Sequence, residues 1–415
     1  RPASSTPMIR RPGALAARDL LDVTKRKNSR SFLAAVSPVA CILASCGAAG
    51  SGDKASAAAT EAAPFKVEQV AAFDEPWAMD IDAATGAMIV TEKKGKIRLR
   101  LADGSLGKVS GAPTVAYGGQ GGLGDVIFAP GQGGKTLDGR VVYLSWAEEG
   151  DGDTRGAAVG KAALSCPQPA SCALQGLQVI WRQTPKVSGN GHYSHRLTFS
   201  PDGQYLFVSS GERQKFTPAQ DLGTNLGKIV RLLPDGTPAP GNPFADKPAP
   251  TSQIWSYGHR NVLGLVFDDK GRLWDLEHGP AGGDEINLVK PGQNYGWPLV
   301  SDGDHYDGKP IPRHKTRPDL AAPAISWNPV IAPGDFIFYT GDSFPQWKGR
   351  FVIASFSEPG LVTVRIDGEK AAEEARYPLD NRIREIQQGL DGSIWLLEDG
   401  PAPDSGHLLH LTPKH

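Results

Sequence analysis

Charge is scarce in this chain. Only 21% of its 415 residues are charged, and 44 basic residues against 45 acidic ones leave a net charge of −1. With no basic surplus to neutralise phosphates, a general nucleic-acid binder is excluded. After residue 46 no apolar run is long enough to span a bilayer. No long segment repeats its apolar residues at helical spacing, which argues against a helical protein. There is no Cys-x-x-Cys-His stretch, so the chain carries no c-type haem of its own. What is abundant is turn chemistry: 50 glycines and 34 prolines. Without a collagen-like period, that composition fits a turn-dense all-β protein. The length suffices for a large core, in one big domain or two smaller ones.

The N-terminal stretch has the layout of a targeting segment. Lys25–Arg30 (KRKNSR) is a basic n-region, and Ser31–Ala44 is a short apolar h-region running into Leu43-Ala44-Ser45-Cys46. That tetrapeptide resembles the lipobox of bacterial lipoproteins, in which the cysteine becomes the lipidated first residue. The alternative is an ordinary signal peptide cleaved at small residues. The expected layout is an over-extended start and lipoprotein-type signal over residues 1–46, a flexible tether over 47–64 and one folded domain over 65–415. Export to the periplasmic side of a bacterial envelope follows, with membrane attachment only through the lipid. In that oxidising compartment Cys166 and Cys172, close together in SCPQPASC, are expected to form a disulfide; with only two thiols, a metal site is the lesser reading.

The rest of the chain is written in short apolar runs with period-two character, separated by Gly, Asp and Pro. One pattern recurs: strand, tight turn, strand, polar loop. It runs through Trp77–Glu92 around Ala84-Thr85-Gly86, and through Leu197–Ser209 around Pro201-Asp202-Gly203. It returns in Leu263–Leu276 around Asp269-Lys270-Gly271, and in Ile386–Leu397 around Asp391-Gly392. Looser copies cover Asp125–Trp146 and Phe336–Phe356. The Asp-Gly dipeptides supply the positive φ that tight hairpin turns need. About six such units, at ~40–50 residues each plus insertions, match the period of a propeller. The expected fold is all-β, a six-bladed β-propeller of four-stranded antiparallel blades, because a closed ring protects the sheet edges. A pair of β-sandwiches or a β-helix is the alternative; no composition break divides the chain for the first, and the spacing is too wide for the second. In a propeller the loops at one end of the central channel carry the chemistry.

Five stretches concentrate reactive side chains. Ser188–Arg196 (SGNGHYSHR) leads into a strand and carries His192. An imidazole titrates near neutral pH, so His192 is a candidate general base, with a structural, hydrogen-bonding histidine as the plainer reading. Glu212 ends the hairpin that starts at Arg196. Antiparallel pairing returns it to the end of the unit where His192 lies, and a carboxylate there would orient the imidazole. Trp255–Asn261 (WSYGHRN) sets Arg260 and Asn261 just before another strand, and Arg suits bidentate binding of carboxylates; an Arg paired to a neighbouring acid is the alternative. Arg382 and Arg384 face one side of a strand. Two guanidiniums there repel unless an anion sits between them, which points to a multiply charged ligand; a solvated edge strand is the alternative. Trp274–Asn287 (WDLEHGPAGGDEIN) gathers acids and glycine carbonyls, the donors that a hard cation such as calcium uses. Neither it nor Asp302–Gly308 has EF-hand spacing, and a solvated loop is its first reading.

Taken in order, these stretches resemble one family: the soluble quinoprotein sugar dehydrogenases that use pyrroloquinoline quinone (PQQ), in their aldose sugar dehydrogenase branch. The resemblance runs from Phe73 to the C-terminus. It rests on Gln120–Leu123, His192-x-x-x-Arg196-Leu197, Gln220-Asp221 with Gly227–Arg231, Trp255–Asn261, Glu277–Asn287, Asn294–Pro298 and Arg382-Ile383-Arg384. It implies a six-bladed propeller that oxidises aldoses at C1 to aldonolactones. His192 would take the proton from the anomeric hydroxyl while hydride passes to PQQ, with Glu212 supporting the imidazole and Arg260 polarising the quinone oxygens. Gln120 would line the site, Asn261 would bind the cofactor, and Arg382 and Arg384 would hold its carboxylates. Gly279 and Pro280 would offer backbone carbonyls to a calcium ion that PQQ also ligates; Glu285 and Tyr295 would hold a second, structural calcium ion. An external electron acceptor, a quinone or a cytochrome, is implied, for a monomer or homodimer. Two positions depart from the family pattern. Ser357 stands at or near a place where a lysine often contacts PQQ, and His195 where glycine is usual.

Two rival functions remain on sequence. A calcium-dependent propeller lactonase or other hydrolase needs acidic metal ligands around the channel but no arginine pair. A non-catalytic propeller binding carbohydrate or protein needs neither, and the missing lysine is its best support.

Overall fold

A computed structural model describes residues 59, 60 and 62–414. The expected signal segment, the lipidation site Cys46 and most of the tether lie outside the described residues. Among the described residues the only helices are short 3-10 turns, and none is long and apolar enough to cross a membrane.

The expected hairpins form, each as the first pair of a four-stranded antiparallel unit. The first unit is Pro76–Ile81, Met88–Glu92, Lys96–Arg100 and Leu106–Ser110; the second is Leu123–Phe128, Val141–Glu149, Thr154–Gln168 and Ser171–Arg182. The third is Ser194–Phe199, Leu206–Ser210, Lys228–Leu232 and Ile254–Tyr257; the fourth is Val262–Phe267, Leu273–Glu277, Asp284–Leu288 and Ile325–Trp327. The fifth is Pro333–Phe338, Arg350–Ser355, Gly360–Asp367 and Lys370–Pro378. The sixth combines Ile383–Gln388, Ile394–Glu398 and Gly406–Pro413 with the early strand Phe65–Phe73, so both ends of the domain share one sheet. The first strands meet one another in chain order, and Ile383–Gln388 returns to Pro76–Ile81, giving a near-closed barrel of inner strands.

One feature differs from a set of separate four-stranded sheets. The first two units are fused at their outer edges, where Lys108–Ser110 pairs in parallel with Ser171–Ala173. The cause is length: the outer strands of the second unit run to 15 and 12 residues and reach its neighbour. A disulfide between Cys166 and Cys172 closes the tip of that hairpin.

Apolar burial is shared between neighbouring sheets. Ile89 and Leu99 of the first unit pack with Leu144 and Trp146 of the second. Met88 and Val90, on the opposite face, pack with Leu397 and Leu408 of the sixth. Val159 meets Val208, Ile229 meets Leu265, Trp274 meets Phe351 and Val352 meets Ile386 in the same way. With both faces covered, Met88–Glu92 is buried along its whole length, and its sequence, Met-Ile-Val-Thr-Glu, shows no strict apolar–polar alternation. Carboxylates stitch the inner strands together. Asp80 Oδ2 accepts the Phe128 N–H (2.7 Å) and Asp125 Oδ2 the Leu197 N–H (2.7 Å), each from the next unit. These bonds use the ring closure to satisfy backbone donors that a lone sheet would leave bare.

Candidate active site

A cavity of about 260 Å³ lies where loops enter the N-terminal ends of the first strands. It gathers Gln120, His192, Arg260, Asn261, Arg382 and Arg384, which are far apart in sequence, and Glu212 stands behind His192.

His192 sits in a loop of unusual backbone: φ is 49° at His192, 57° at Ser194 and 56° at His195, left-handed values that side chains rarely adopt. Tertiary contacts hold it there. The His192 N–H donates to Gln120 Oε1 (2.7 Å), so Gln120 fastens the backbone of the histidine as well as lining the cavity. His192 Nδ1 is hydrogen-bonded closely to Glu212 Oε1. The same carboxylate accepts the Gln214 N–H (3.0 Å) and the Phe216 N–H (2.6 Å). Ser194 and Ser210 pair across the hairpin, which is how Glu212 comes back beside His192. Burial lowers the pKa of His192; the bond to Glu212 opposes that shift, and the charge of Arg260 adds to it. Burial works against the charge of Glu212, but the hydrogen bond and charge of His192, the Phe216 N–H and the charge of Arg260 together outweigh it, and the pKa ends below the ordinary value. An ionised Glu212 therefore fixes the proton on Nδ1 and leaves Nε2 as the free acceptor of a neutral imidazole.

Arg260 is held by its backbone N–H to Glu277 Oε2 (2.7 Å). Its Nη1 donates to the His278 carbonyl (3.1 Å) and its Nη2 to Tyr306 Oη (3.2 Å), while its buried Nε has no partner. Among the described residues no carboxylate forms an ion pair with it, so this guanidinium retains donor capacity for a ligand. Asn261 Oδ1 accepts the Ser194 hydroxyl (3.1 Å), which leaves its amide hydrogens available. His278, in the same stretch as Gly279 and Pro280, is a strut. Its Nε2 bonds the Pro333 carbonyl (2.6 Å), and burial holds its pKa down to about 3, so the ring is neutral.

The arginine pair needs a correction. Arg382 and Arg384 do face one side, but the anion between them is in part the protein's own. Asp399 takes Arg382 Nε at 3.0 Å and Arg384 Nη2 at 2.7 Å, and both guanidiniums lie over the Phe356 ring at 4.4 and 4.5 Å. One carboxylate against two guanidiniums leaves a surplus positive charge facing the cavity.

Gly279, Pro280, Glu285 and Tyr295 line one small void of about 10 Å³ next to Arg260, roughly the room of a single water or ion. No hydrogen bond reaches the carbonyls of Gly279 and Pro280 among the described residues, which leaves two oxygens of the kind a hard cation uses. The Tyr295 carbonyl, in contrast, accepts His314 Nε2 (3.2 Å), and burial raises the Glu285 pKa to about 8, with the charge of Glu277 adding to the effect. Beneath this void His259 Nδ1 approaches Asp275 Oδ2 (3.3 Å) and Glu277 Oε1 (3.1 Å), and Asn287 Nδ2 donates to Asp275, Glu277 and Glu285. That buried layer props the loop carrying Arg260.

Sequence reasoning overlooked Asp399, Ser194, Lys93, Tyr306 and Phe356. A signal existed for Asp399: Ile383 pairs with Glu398, so the next acid lies across from Arg382. Lys93, Tyr306 and Phe356 come from three different units, and nothing local marks them.

A histidine tethered to a carboxylate thus faces a cavity rich in cationic side chains. Residues 73–410 match the family described as Glucose / Sorbosone dehydrogenase, and the chain belongs to that family. Aldose sugar dehydrogenase YliI of Escherichia coli (strain K12) is 36% identical over 348 residues, 82% of this chain and 91% of that protein. Quinoprotein glucose dehydrogenase B of Acinetobacter calcoaceticus is 35% identical over 186 residues, 39% of this chain and 37% of that protein. The apo-form structure of the soluble aldose sugar dehydrogenase from Escherichia coli is similar with a TM-score of 0.76 at 35% identity, covering 84% of this chain and 100% of that one. The PQQ-bound aldose sugar dehydrogenase from Streptomyces coelicolor is similar with a TM-score of 0.67 at 26% identity, covering 86% of this chain and 100% of that one.

Proposed function

We propose that this chain is a PQQ- and calcium-dependent aldose dehydrogenase that oxidises the sugar at C1 to the aldonolactone. The observation that carries it is the convergence of a neutral, carboxylate-tethered His192 with Arg260, Arg382 and Arg384 around one cavity. Family membership supports the sugar, and the PQQ-bound relative supports the cofactor. When bound, PQQ would supply the hydride acceptor and calcium a Lewis acid on its oxygens. His192 Nε2 accepts the proton of the C1 hydroxyl, and Glu212 stabilises the imidazolium that forms. Arg260 offers fixed donors to charge that develops on the acceptor side. Asn261, Arg382 and Arg384 bind and orient the cofactor, and the bare carbonyls of Gly279 and Pro280 suit the calcium ion. At a second ion by Glu285 and Tyr295, the Tyr295 carbonyl already accepts His314 Nε2 (3.2 Å) and keeps one lone pair for a cation.

The wider reading is a six-bladed β-propeller with its first two blades sharing a sheet, lipid-anchored through Cys46 on the periplasmic side and passing electrons to a quinone or cytochrome, as a monomer or homodimer. The test is reconstitution of apo-protein with PQQ and calcium, followed by dye reduction with a panel of aldoses. Turnover with a shift in cofactor absorbance is expected; absence of both would sink the reading.

A further inference from the structure

The loop holding Ser357 gives no cation to the cavity. Ser357 is exposed and its hydroxyl donates to the Val330 carbonyl (2.9 Å), so it does not reach the cavity lining. A cation does enter the cavity from another side. Lys93 follows the strand Met88–Glu92 of the first unit and lines the cavity with Arg260, Arg382 and Arg384.

Its backbone is clamped: the Lys93 N–H donates to the Glu75 carbonyl (3.0 Å), and its own carbonyl accepts the Leu123 N–H (2.8 Å). Lys93 and Lys94 divide the work of two cations beside one acid. Lys94, with a side chain 45% exposed, stands 3.2 Å from Glu75, whose Oε2 also accepts the Tyr117 hydroxyl (2.5 Å). Lys93, only 16% exposed, stays 3.9 Å from Glu75 and spends one donor on the Gly119 carbonyl (3.1 Å). An ammonium has three donors, so donor capacity remains toward the cavity. With Glu75 shared between Lys93 and Lys94, the four cations Lys93, Arg260, Arg382 and Arg384 face only two further carboxylates, Asp399 and Glu212, so positive charge is in surplus at the cavity. Like charges confined this way repel, and a polyanion relieves them. In chain order around the ring, the sixth unit stands between the fifth and the first, so an anion seated on Arg382 and Arg384 is reachable from either flank.

We propose that Lys93 is a cationic anchor for the carboxylates of PQQ, supplied by the first unit rather than by the Ser357 loop of the fifth. This inference rests on the PQQ reading above. The experiment is titration of the apo full chain with PQQ in the presence of calcium, read by equilibrium dialysis, for wild type, Lys93→Met, Lys93→Arg and Lys94→Met. Lys93→Met should weaken binding about 10- to 100-fold, the range for one charge-assisted contact. Lys93→Arg should retain most of the affinity, and Lys94→Met, which leaves Glu75 to Lys93 alone, should weaken binding less than Lys93→Met. Thermal melts of each variant check that the fold is kept. Wild-type affinity in Lys93→Met, or equal loss in Lys94→Met, would overturn the assignment while leaving PQQ binding intact. A wild type that does not bind PQQ would overturn the cofactor reading itself.

Discussion

Arg196 Nη1 stands 2.6 Å from Glu385 Oε2, a buried ion pair between the third and sixth units. The same guanidinium donates Nε to the Leu263 carbonyl (2.7 Å) and Nη2 to the Gly334 carbonyl (3.1 Å), lies 4.2 Å over the Trp77 ring and approaches Asp125 at 3.6 Å. One side chain thus touches the inner strand of every unit in the ring. Burial raises the Glu385 pKa well above its ordinary value, and the Arg196 charge opposes that.

Removing this hub strands buried carboxylates. Arg196→Met keeps the bulk and deletes the charge, and should cost about 3–5 kcal/mol, the range for breaking a buried pair from one side. Urea denaturation of apo-protein reads it; a loss below about 1 kcal/mol would show that the ring closes without it.

His192 and Glu212 should separate binding from chemistry. His192→Ala should abolish turnover while PQQ remains bound. Glu212→Gln should lower kcat by about 100-fold or more with a modest change in KM, because the amide no longer enforces the Nδ1–H tautomer or stabilises an imidazolium. Steady-state kinetics beside cofactor titration distinguishes these outcomes from simple loss of PQQ.

The pH profile carries a sign. A base must be unprotonated to act, so activity is lost as pH falls through its folded pKa. Burial lowers the His192 pKa from 6.5, and kcat/KM should therefore rise along an acid limb centred below 6.5 and then level off. A limb centred above 6.5 would point to a different titrating group.

His195 and Gly124 form a matched pair. A Cβ on residue 124 would fall 1.9 Å from His195 Cε1, and the His195 ring also stacks on Trp77 (5.0 Å) with Nδ1 on Ser145 Oγ (2.8 Å). Gly124→Ala should destabilise by about 1–3 kcal/mol through overpacking. Adding His195→Gly should recover most of that loss, since it frees the space and suits the left-handed φ of 56°. Thermal melts of the two single variants and the double variant close the cycle.

Much of this was legible without coordinates. Short apolar runs broken by Asp-Gly turns define the inner hairpins, because period, turn chemistry and strand length are local properties. His192 and Glu212 could be brought together from the hairpin alone, since antiparallel pairing returns the chain to its starting end. Within Trp274–Asn287 the acid Asp284 is structural, spending both oxygens on the N–H groups of Gly279 (2.8 Å) and Ala332 (2.6 Å), while the carbonyls of Gly279 and Pro280 accept no hydrogen bond among the described residues.

Other features were out of reach. Fusion of the first two sheets depends on how far the Thr154–Arg182 hairpin extends toward a neighbour. Whether Arg382 and Arg384 lack a counter-ion, and whether Lys93 faces solvent or a ligand, depends on side chains from separate units that meet only once the ring closes. Pairing and turns obey spacing along the chain, so they are written locally. The charge balance of a cavity is a sum over groups distant in sequence, and only the packed ring decides which of them neutralise one another and which are left facing the ligand.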